Sequence, residues 1–187
     1  MADADLGTAL EAARRGDEDG VRQLFRAFQP LLLRYLHQRA PGSAEDLASE
    51  TWLAAAKGLP AMVGGVDEFR AWLFTLARNK VADHYRTAAR RPAADPWAAD
   101  LDVADPVDRA EAVADDLDAQ AAVRDLLQFL SPDQAEVVLL RVVADLSVDE
   151  VARLMGRSPA SVRVLQHRAL RRMERVAKRA GAVRHEV

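Results

Sequence analysis

Positively charged side chains are concentrated in two segments of this 187-residue chain, although its formal net charge is −3. Residues 69–91 contain six lysines and arginines against one aspartate, and residues 153–184 contain ten against one glutamate. Arginine and lysine neutralise phosphates, and arginine also forms paired hydrogen bonds with the edge of guanine. Two separated basic segments therefore indicate two contacts with a polyanion, unless both are only the solvated faces of helices.

The second basic segment overlaps residues 146–173, a pattern typical of two helices joined by a tight turn. Ser147 and Glu150 have the spacing of a capping box, which predicts the start of the first helix. Gly156 is predicted to end that helix, because glycine adopts positive φ at little energetic cost. Ser158, followed by proline, is the expected N-cap of the next helix. The pattern predicts a helix–turn–helix unit whose second helix enters a DNA groove.

Side chains on the outer face of this second helix divide by position into separate roles. Ser158 and Ser161, near its N-terminus, are predicted to hold phosphate together with free backbone amides. Base edges are predicted to be read by Arg163, His167 and Arg168. Backbone phosphates are predicted to be neutralised by Arg157, Arg171, Arg172 and Lys178. Val164 either touches a thymine methyl group or is partly buried.

Helical periodicity extends through most of the chain, and no strand pattern of any length occurs. We expect an all-α fold with two small helical domains joined by an acidic, flexible linker. The predicted boundaries are 1–91, 92–117 and 118–187. The C-terminal domain is expected to be a four-helix, helix–turn–helix domain whose first helices span 117–130 and 132–143. Residues 92–118 contain nine acidic residues against one arginine, and three prolines, which disfavours a folded core there.

The N-terminal domain is predicted to contain helices over residues 6–15, 18–39, 44–57 and 67–89. Asp17 and Ser43 are the expected caps of the second and third helices. Pro30 is expected to kink or split the second helix, because proline removes a backbone hydrogen bond. Residues 58–68, with three glycines and one proline, are predicted to form a loop. In the third helix, the residues expected to face inward at least in part are Leu47, Trp52 and Leu53.

Several classes of function are disfavoured by composition and spacing. The chain has no cysteine, which excludes disulfides and thiol catalysis. Its four histidines lack metal-ligand spacing, and neither a nucleophile elbow nor a glycine-rich phosphate loop occurs. We therefore expect no metal, no cofactor and no enzyme activity. Short apolar runs and a polar N-terminus disfavour a transmembrane helix or a signal peptide, so we expect a cytoplasmic protein.

The helix predicted over residues 67–89 has two interpretations. Aromatic, basic and amide side chains on one helix suit single-stranded DNA, whose bases stack on rings while cations hold the backbone. Alternatively, Phe69 and Trp72 belong to the protein core and the polar face is only solvated. Spacing alone favours the core slightly.

Three segments of the chain resemble bacterial RNA polymerase sigma factors of the extracytoplasmic-function type. Residues 69–86, FRAWLFTLARNKVADHYR, are similar to the family signature F-x-x-W-L-x-x-I-A-R-N-x-x-x-D-x-x-R. AEDLASETW, at 44–52, resembles the D-L-x-Q-E-x-F segment, and residues 130–170 resemble the promoter-binding domain almost throughout. The resemblance covers residues 18–91 and 118–178. It implies a dissociable subunit that directs core RNA polymerase to promoters.

The resemblance also implies roles for four groups of residues. Binding to the clamp of the largest polymerase subunit is assigned to Asp46, Leu47, Glu50 and Trp52. Recognition and melting of the −10 promoter element are assigned to Arg78, Asn79, Lys80, Asp83 and Arg86. Capture of a flipped non-template base is assigned to the preceding loop, at Pro60, Met62, Val63 and Gly64. Reading of the −35 element is assigned to Arg157, Ser158, Ser161, Arg163, Val164, His167, Arg168, Arg171 and Arg172.

The implied partners are core RNA polymerase, through its clamp and flap, promoter DNA and an anti-sigma factor. Trp97 and the apolar surfaces of both domains are candidate docking sites for the anti-sigma factor, and the acidic linker is implied to run toward the RNA exit path. Ser49 replaces the usual glutamine, and residues 164–166 differ from the usual serine–arginine–leucine, so clamp affinity and −35 preference are not carried over. Two alternatives stay open: a helix–turn–helix regulator acting without polymerase, and an adaptor with no role on DNA.

Overall fold

Helices form most of the regular structure in the computed structural model of this chain, which describes residues 3–90 and 123–184. No strand occurs within these two ranges, which confirms the predicted all-α fold class. The predicted linker, residues 92–117, lies outside the described residues together with Trp97.

The N-terminal half consists of α1 (Asp3–Arg14), α2 (Glu18–Arg39), α3 (Ala44–Gly58) and α4 (Val66–Arg90). Asp17 caps α2 as predicted, because its carboxylate accepts hydrogen bonds from the amides of Asp19 (2.8 Å) and Gly20 (3.2 Å). Gly20 also lets α1 approach α2 closely, since a Cβ there would lie 2.6 Å from the carbonyl oxygen of Ala9. The position of α1 on the domain is therefore closely constrained.

Three details differ from the predicted N-terminal helices. α2 is continuous through Pro30, which is exposed, so water can hydrate the carbonyl that loses its partner. Ser43 makes no side-chain cap, because a 3-10 turn over Pro41–Ser43 leads directly into α3. The predicted loop over 58–68 is shorter than expected, since Leu59–Ala61 forms another 3-10 turn and α4 begins before the predicted loop ends.

The C-terminal half contains a helical segment over residues 123–127, then α5 (Pro132–Val138), α6 (Val148–Met155) and α7 (Pro159–Arg184). The first segment ends at residue 127 rather than at the predicted 130. α5 continues as a π-helical turn over Leu139–Val143, closed by the amide of Ala144 on the carbonyl of Leu139 (3.1 Å). The predicted capping box begins α6 at Ser147, and a second capping box begins α5 at Ser131.

Two hydrophobic cores hold these helices together. One lies among α1 to α4 and includes Leu10, Phe28, Phe69 and Leu73. The second joins the two halves, because side chains of α2 and α4 cluster with side chains of α5, α6 and α7. Its largest fully buried members are Leu32, Tyr35, Leu36, Phe74, Leu139, Leu140 and Leu146. Apolar contact of this kind stabilises a joined arrangement of the two halves, which the sequence did not predict.

Candidate nucleic-acid interface

The helix–turn–helix predicted at residues 146–173 is formed by α6 and α7. Gly156 has φ 63° and ψ 37°, the left-handed conformation that ends α6, and the Arg157 amide then donates to the Ala152 carbonyl (2.9 Å). The hydroxyl of Ser158 accepts a hydrogen bond from the Ser161 amide (3.2 Å) at the start of α7. Val162 is buried between the two helices, so the inner face of α7 is fixed and its outer face is left to solvent.

The outer face of α7 is strongly basic and exposed. Five of its predicted DNA contacts are exposed: Arg163, His167, Arg168, Arg171 and Arg172. Val164 lies on this exposed side, at 47% exposure, so its position suits contact with a base rather than burial in the core. Arg157 instead forms an ion pair with Asp133 at the start of α5. The face is therefore a cationic strip that also carries the exposed apolar side chains of Val164 and Leu170, an arrangement suited to a DNA groove.

Aromatic side chains of α4 belong to the protein interior. Phe69 is buried, with its ring 5.3 Å from that of Phe28 (centroid to centroid) in an edge-on arrangement. Trp72 is half-buried and lies against Gly58, where a Cβ would come within 2.7 Å of the indole. Of the two interpretations of this helix, the core interpretation is correct for Phe69, and Trp72 is available to a ligand only in part.

The polar face of α4 is already engaged in ion pairs. Lys80 lies 2.9 Å from Glu50 of α3, measured from Nζ to Oε2, and Asp83 pairs with Arg86 one turn later. Asn79, the residue before Lys80, is exposed. The pair from Lys80 to Glu50 links the predicted −10 face directly to the predicted clamp-binding helix. These pairs are solvent-exposed, so each is worth little and can exchange for a nucleic-acid phosphate.

Glu136 of α5 lies in the contact between the two halves, with its side chain only 6% exposed. Its Oε1 accepts a hydrogen bond from the Tyr35 hydroxyl (2.9 Å). The Nε of Arg39 is 3.2 Å from Oε2, and the Nε of Arg78 is 3.5 Å from Oε1. We refer to these four residues as the Glu136 cluster.

The Glu136 cluster explains how a carboxylate is tolerated in this position, because the Tyr35 hydroxyl donates a hydrogen bond to it and two positive charges lie close by, in place of the water that burial removes. Burial raises the pKa of Tyr35 well above its ordinary value, and the negative charge of Glu136 raises it further. Arg78, one of the predicted −10 residues, is thereby held against the C-terminal half.

The outer face of α3 differs from the face predicted to bind the polymerase clamp. Asp46, Ser49 and Glu50 are exposed there, as expected. Leu47 is buried, however, and the half-buried Trp52 uses its indole N–H to donate to Gln29 (2.7 Å).

Leu53, predicted to face inward in part, is 63% exposed. It stands beside the exposed Phe25 at a mainly apolar cleft of about 390 Å³ between α2 and α3. Leu47, Thr51 and Ala55 repeat every four residues on the inner side of α3, and this spacing already places Leu53 on the outside.

The loop predicted to capture a flipped base is short and protrudes from the domain. Val63 at its tip is 87% exposed, Met62 is half-buried and Pro60 is exposed. Gly64 has φ 114°, a conformation that favours glycine. The loop lies at the N-terminal end of α4, beside the helix that carries the predicted −10 residues. The structure therefore presents one exposed apolar tip next to a polar helix.

Two family descriptions match the two halves of the chain. Sigma-70 region 2 matches residues 24–91, and Sigma-70, region 4 matches residues 120–173. BldN of Streptomyces coelicolor, an extracytoplasmic-function (ECF) RNA polymerase sigma factor, is 35% identical over 182 residues, covering 94% of this chain and 68% of BldN. SigD of Mycobacterium tuberculosis H37Rv, another ECF sigma factor, is 34% identical over 181 residues, covering 90% of this chain and 82% of SigD.

The fold also resembles a solved sigma factor. RpoE of Bartonella quintana, in a co-crystal structure with the anti-sigma factor NepR, superposes with a TM-score of 0.64 at 23% identity. The superposition covers 84% of this chain and 96% of RpoE. At this identity the likeness supports the two-part helical fold.

The helical fold, the exposed basic helix α7 and the family matches together define a promoter-specificity subunit of RNA polymerase. The chain belongs to the ECF sigma factors, and as such it binds core RNA polymerase and promoter DNA and directs promoter-specific initiation of transcription. Sigma factors are not enzymes. Within the described residues, no helix is long and apolar enough to cross a membrane.

Proposed function

We propose that the two halves of this sigma factor divide promoter recognition between them. The face of α4 and the loop before it recognise and melt the −10 element, while α7 reads the −35 element. The observation that carries this division is the exposed cationic strip on α7, which belongs to the half matching region 4, whereas the loop and α4 belong to the half matching region 2. The regulator acting without polymerase and the adaptor with no role on DNA receive no support from the family membership.

Reading of the −35 element is assigned to the exposed α7 side chains, with Arg163, His167 and Arg168 directed at bases. Each well-placed base contact discriminates by about 1–3 kcal/mol, so Arg163→Ala is expected to weaken promoter discrimination roughly tenfold or more. The matched control is Arg22→Ala, since Arg22 is an exposed arginine on α2 that pairs with the nearby Asp19 of the same helix. The control should leave promoter discrimination unchanged.

Binding of the polymerase clamp is assigned to Asp46 and Glu50, with Leu53 added and Leu47 placed behind them as internal support. The exposed apolar side chain of Leu53, next to exposed carboxylates, suits a partner surface that is both basic and apolar. Leu53→Asp is expected to lower affinity for core enzyme while leaving the fold intact, because the site is exposed. Lys57→Asp, at an exposed position near the end of the same helix, is the matched control for charge.

The proposal as a whole is tested by run-off transcription with purified core enzyme on candidate upstream regions. A specific transcript that requires both the protein and core enzyme is expected. Promoter DNA alone should be shifted only weakly by the protein, because the −10 contacts need the polymerase to hold the duplex. A specific, tight shift without core enzyme, together with no transcript, would instead identify a DNA-binding regulator.

We further infer that the protein works in the cytoplasm and is held inactive there by an anti-sigma factor. The support is that the structurally similar RpoE was solved with the anti-sigma factor NepR, and that the cleft beside Phe25 and Leu53 offers an exposed apolar surface. Affinity purification from native lysate should recover polymerase and a small inhibitor in separate complexes. Recovery of polymerase alone under every growth condition would contradict the inhibitor.

A further inference from the structure

The loop that carries Val63 is braced by side chains on two sides. Residues 62–65 have no helical structure, and the exposed tip buries little apolar surface that could fix its position. A loop that captures a base must nevertheless hold its contact atoms in place, since ordering a flexible segment on binding costs conformational entropy. The residues that hold this loop are therefore relevant to capture.

On one side, the loop is held by Arg14, in the last turn of α1. Its Nη2 donates to the carbonyl oxygen of Gly64 (2.5 Å) and contacts the sulfur of Met62 (3.0 Å). Its Nη1 pairs with Glu11 of the same helix (2.5 Å), which orients the guanidinium. The Arg14 side chain is only 16% exposed, 48 residues before Met62 in the chain. Because α1 is closely seated on α2 at Gly20, this arginine projects from a fixed base.

On the other side, the loop is held by Glu68, in the first turn of α4. Its Oε2 accepts a hydrogen bond from the amide of Gly65 (2.8 Å). Gly64 has to be glycine here, since a Cβ would lie 2.6 Å from the Cβ of Glu68. The carbonyl of Gly64 and the amide of Gly65 are thus fixed from opposite directions, and Val63 is left projecting outward.

We propose that Arg14 is a positioning residue for −10 recognition: it sets the loop at Met62–Gly64 in the geometry that receives the flipped base. This inference rests on the proposed function of that loop. It adds α1, which lies before the segment matching region 2, to the machinery that opens the promoter. Arg14 acts through the loop and makes no contact with DNA itself.

The test measures how strongly the complete holoenzyme senses one base. Wild-type protein with core enzyme is bound to premelted promoter DNA in which each −10 non-template base in turn is replaced by an abasic site. Affinity should fall when the abasic site is at the captured position. The readout is the ratio of the affinity for intact DNA to the affinity for DNA with the abasic site at that position. In Arg14→Ala, the ratio is expected to shrink about tenfold, the effect of losing one hydrogen bond to a charged group. Arg14→Lys should restore part of it.

The matched control is Arg15→Ala, which removes the next arginine, exposed in the turn directly after α1, and should leave the ratio unchanged. A general loss of stability would lower affinity for intact and abasic DNA equally, and so would leave the ratio intact. An Arg14→Ala ratio equal to that of wild type would overturn the positioning role. If wild-type protein shows no position sensitive to an abasic site, the base-capture function itself fails instead.

Discussion

Replacing Glu136 with glutamine removes the negative charge from the contact between the two halves while keeping the shape of the side chain. Tyr35 keeps a hydrogen-bond acceptor, but Arg39 and Arg78 lose the carboxylate that lies 3.2 Å and 3.5 Å from them. Glu136 is the buried acidic residue that faces these two arginines of the N-terminal half. Because the substitution makes it neutral, the contact between the two halves should weaken.

The size of this effect follows from the exposure of the partners. Removing one partner of a fully buried ion pair costs about 3–5 kcal/mol, whereas an exposed ion pair contributes about 0–1 kcal/mol. The Glu136 side chain is buried, but those of Arg39 and Arg78 are 30% and 42% exposed, so water partly replaces the lost carboxylate and a value between these limits, about 2 kcal/mol, applies. A loss of about 2 kcal/mol shifts the ratio of joined to separated halves roughly 30-fold.

Single-molecule energy transfer measures this ratio directly. The chain has no cysteine, so Arg22→Cys and Asp149→Cys introduce two exposed labelling sites, one in each half. Glu136→Gln should raise the population with a long donor–acceptor distance. Core enzyme with promoter DNA should raise it in the wild-type protein as well, because Arg78 is one of the residues proposed to contact the −10 element. Glu174→Gln, an exposed carboxylate on α7 that pairs with Lys178, is the control.

An unchanged distance distribution in Glu136→Gln would refute the view that the charge of this residue holds the halves together. The same conclusion would follow if Glu174→Gln separated the halves equally. A separated population that binds promoter DNA no better than the wild type would show instead that Arg78 is not limited by its contact with Glu136.

Three other predictions concern single groups. Because burial raises the pKa of Tyr35, its contribution to stability is present below about pH 10 and is lost as pH rises from there toward the folded-state pKa. Unfolding by urea at several pH values should show this loss of stability. Tyr35→Phe should abolish the loss. The hydrogen bond from the Gly65 amide lowers the pKa of Glu68. This hydrogen bond is therefore present at pH values above the ordinary pKa of a glutamate and is lost as the pH falls through the folded-state pKa. The NMR chemical shift of the Gly65 amide should follow this titration in the wild-type protein and should not follow it in Glu68→Gln. Gly156→Ala places a Cβ at φ 63° with no atom within 4 Å, so backbone strain alone should lower the free energy of unfolding by about 1 kcal/mol, and a loss above about 3 kcal/mol would show a packing effect instead.

Local patterns in the sequence were reliable where the structure depends on neighbours in the chain. The caps at Asp17 and Ser147 and the end of α6 at Gly156 all form as predicted, because each involves backbone groups within a few residues. Ser43 was an exception, since the 3-10 turn before α3 removes the geometry that a cap needs. Pro30 was another, because its exposure makes the missing hydrogen bond inexpensive.

The sequence was less informative about which polar residues would be taken out of water. Glu136 lies on the same helical side as Leu139 and Leu140, both buried, and this spacing was the available signal for a carboxylate inside a contact. Its partners could not be identified, because periodicity shows which face is buried and not what covers it.

The sequence by itself therefore determined the all-α fold, the helix–turn–helix, the basic face of α7 and, through its resemblance, the family. Only the tertiary structure decided that the two halves are joined and that Arg14 holds the loop after α3. The physical reason is distance along the chain. Tyr35 and Glu136 are 101 residues apart, and Arg14 and Gly64 are 50 apart, so these contacts exist only once helices have docked.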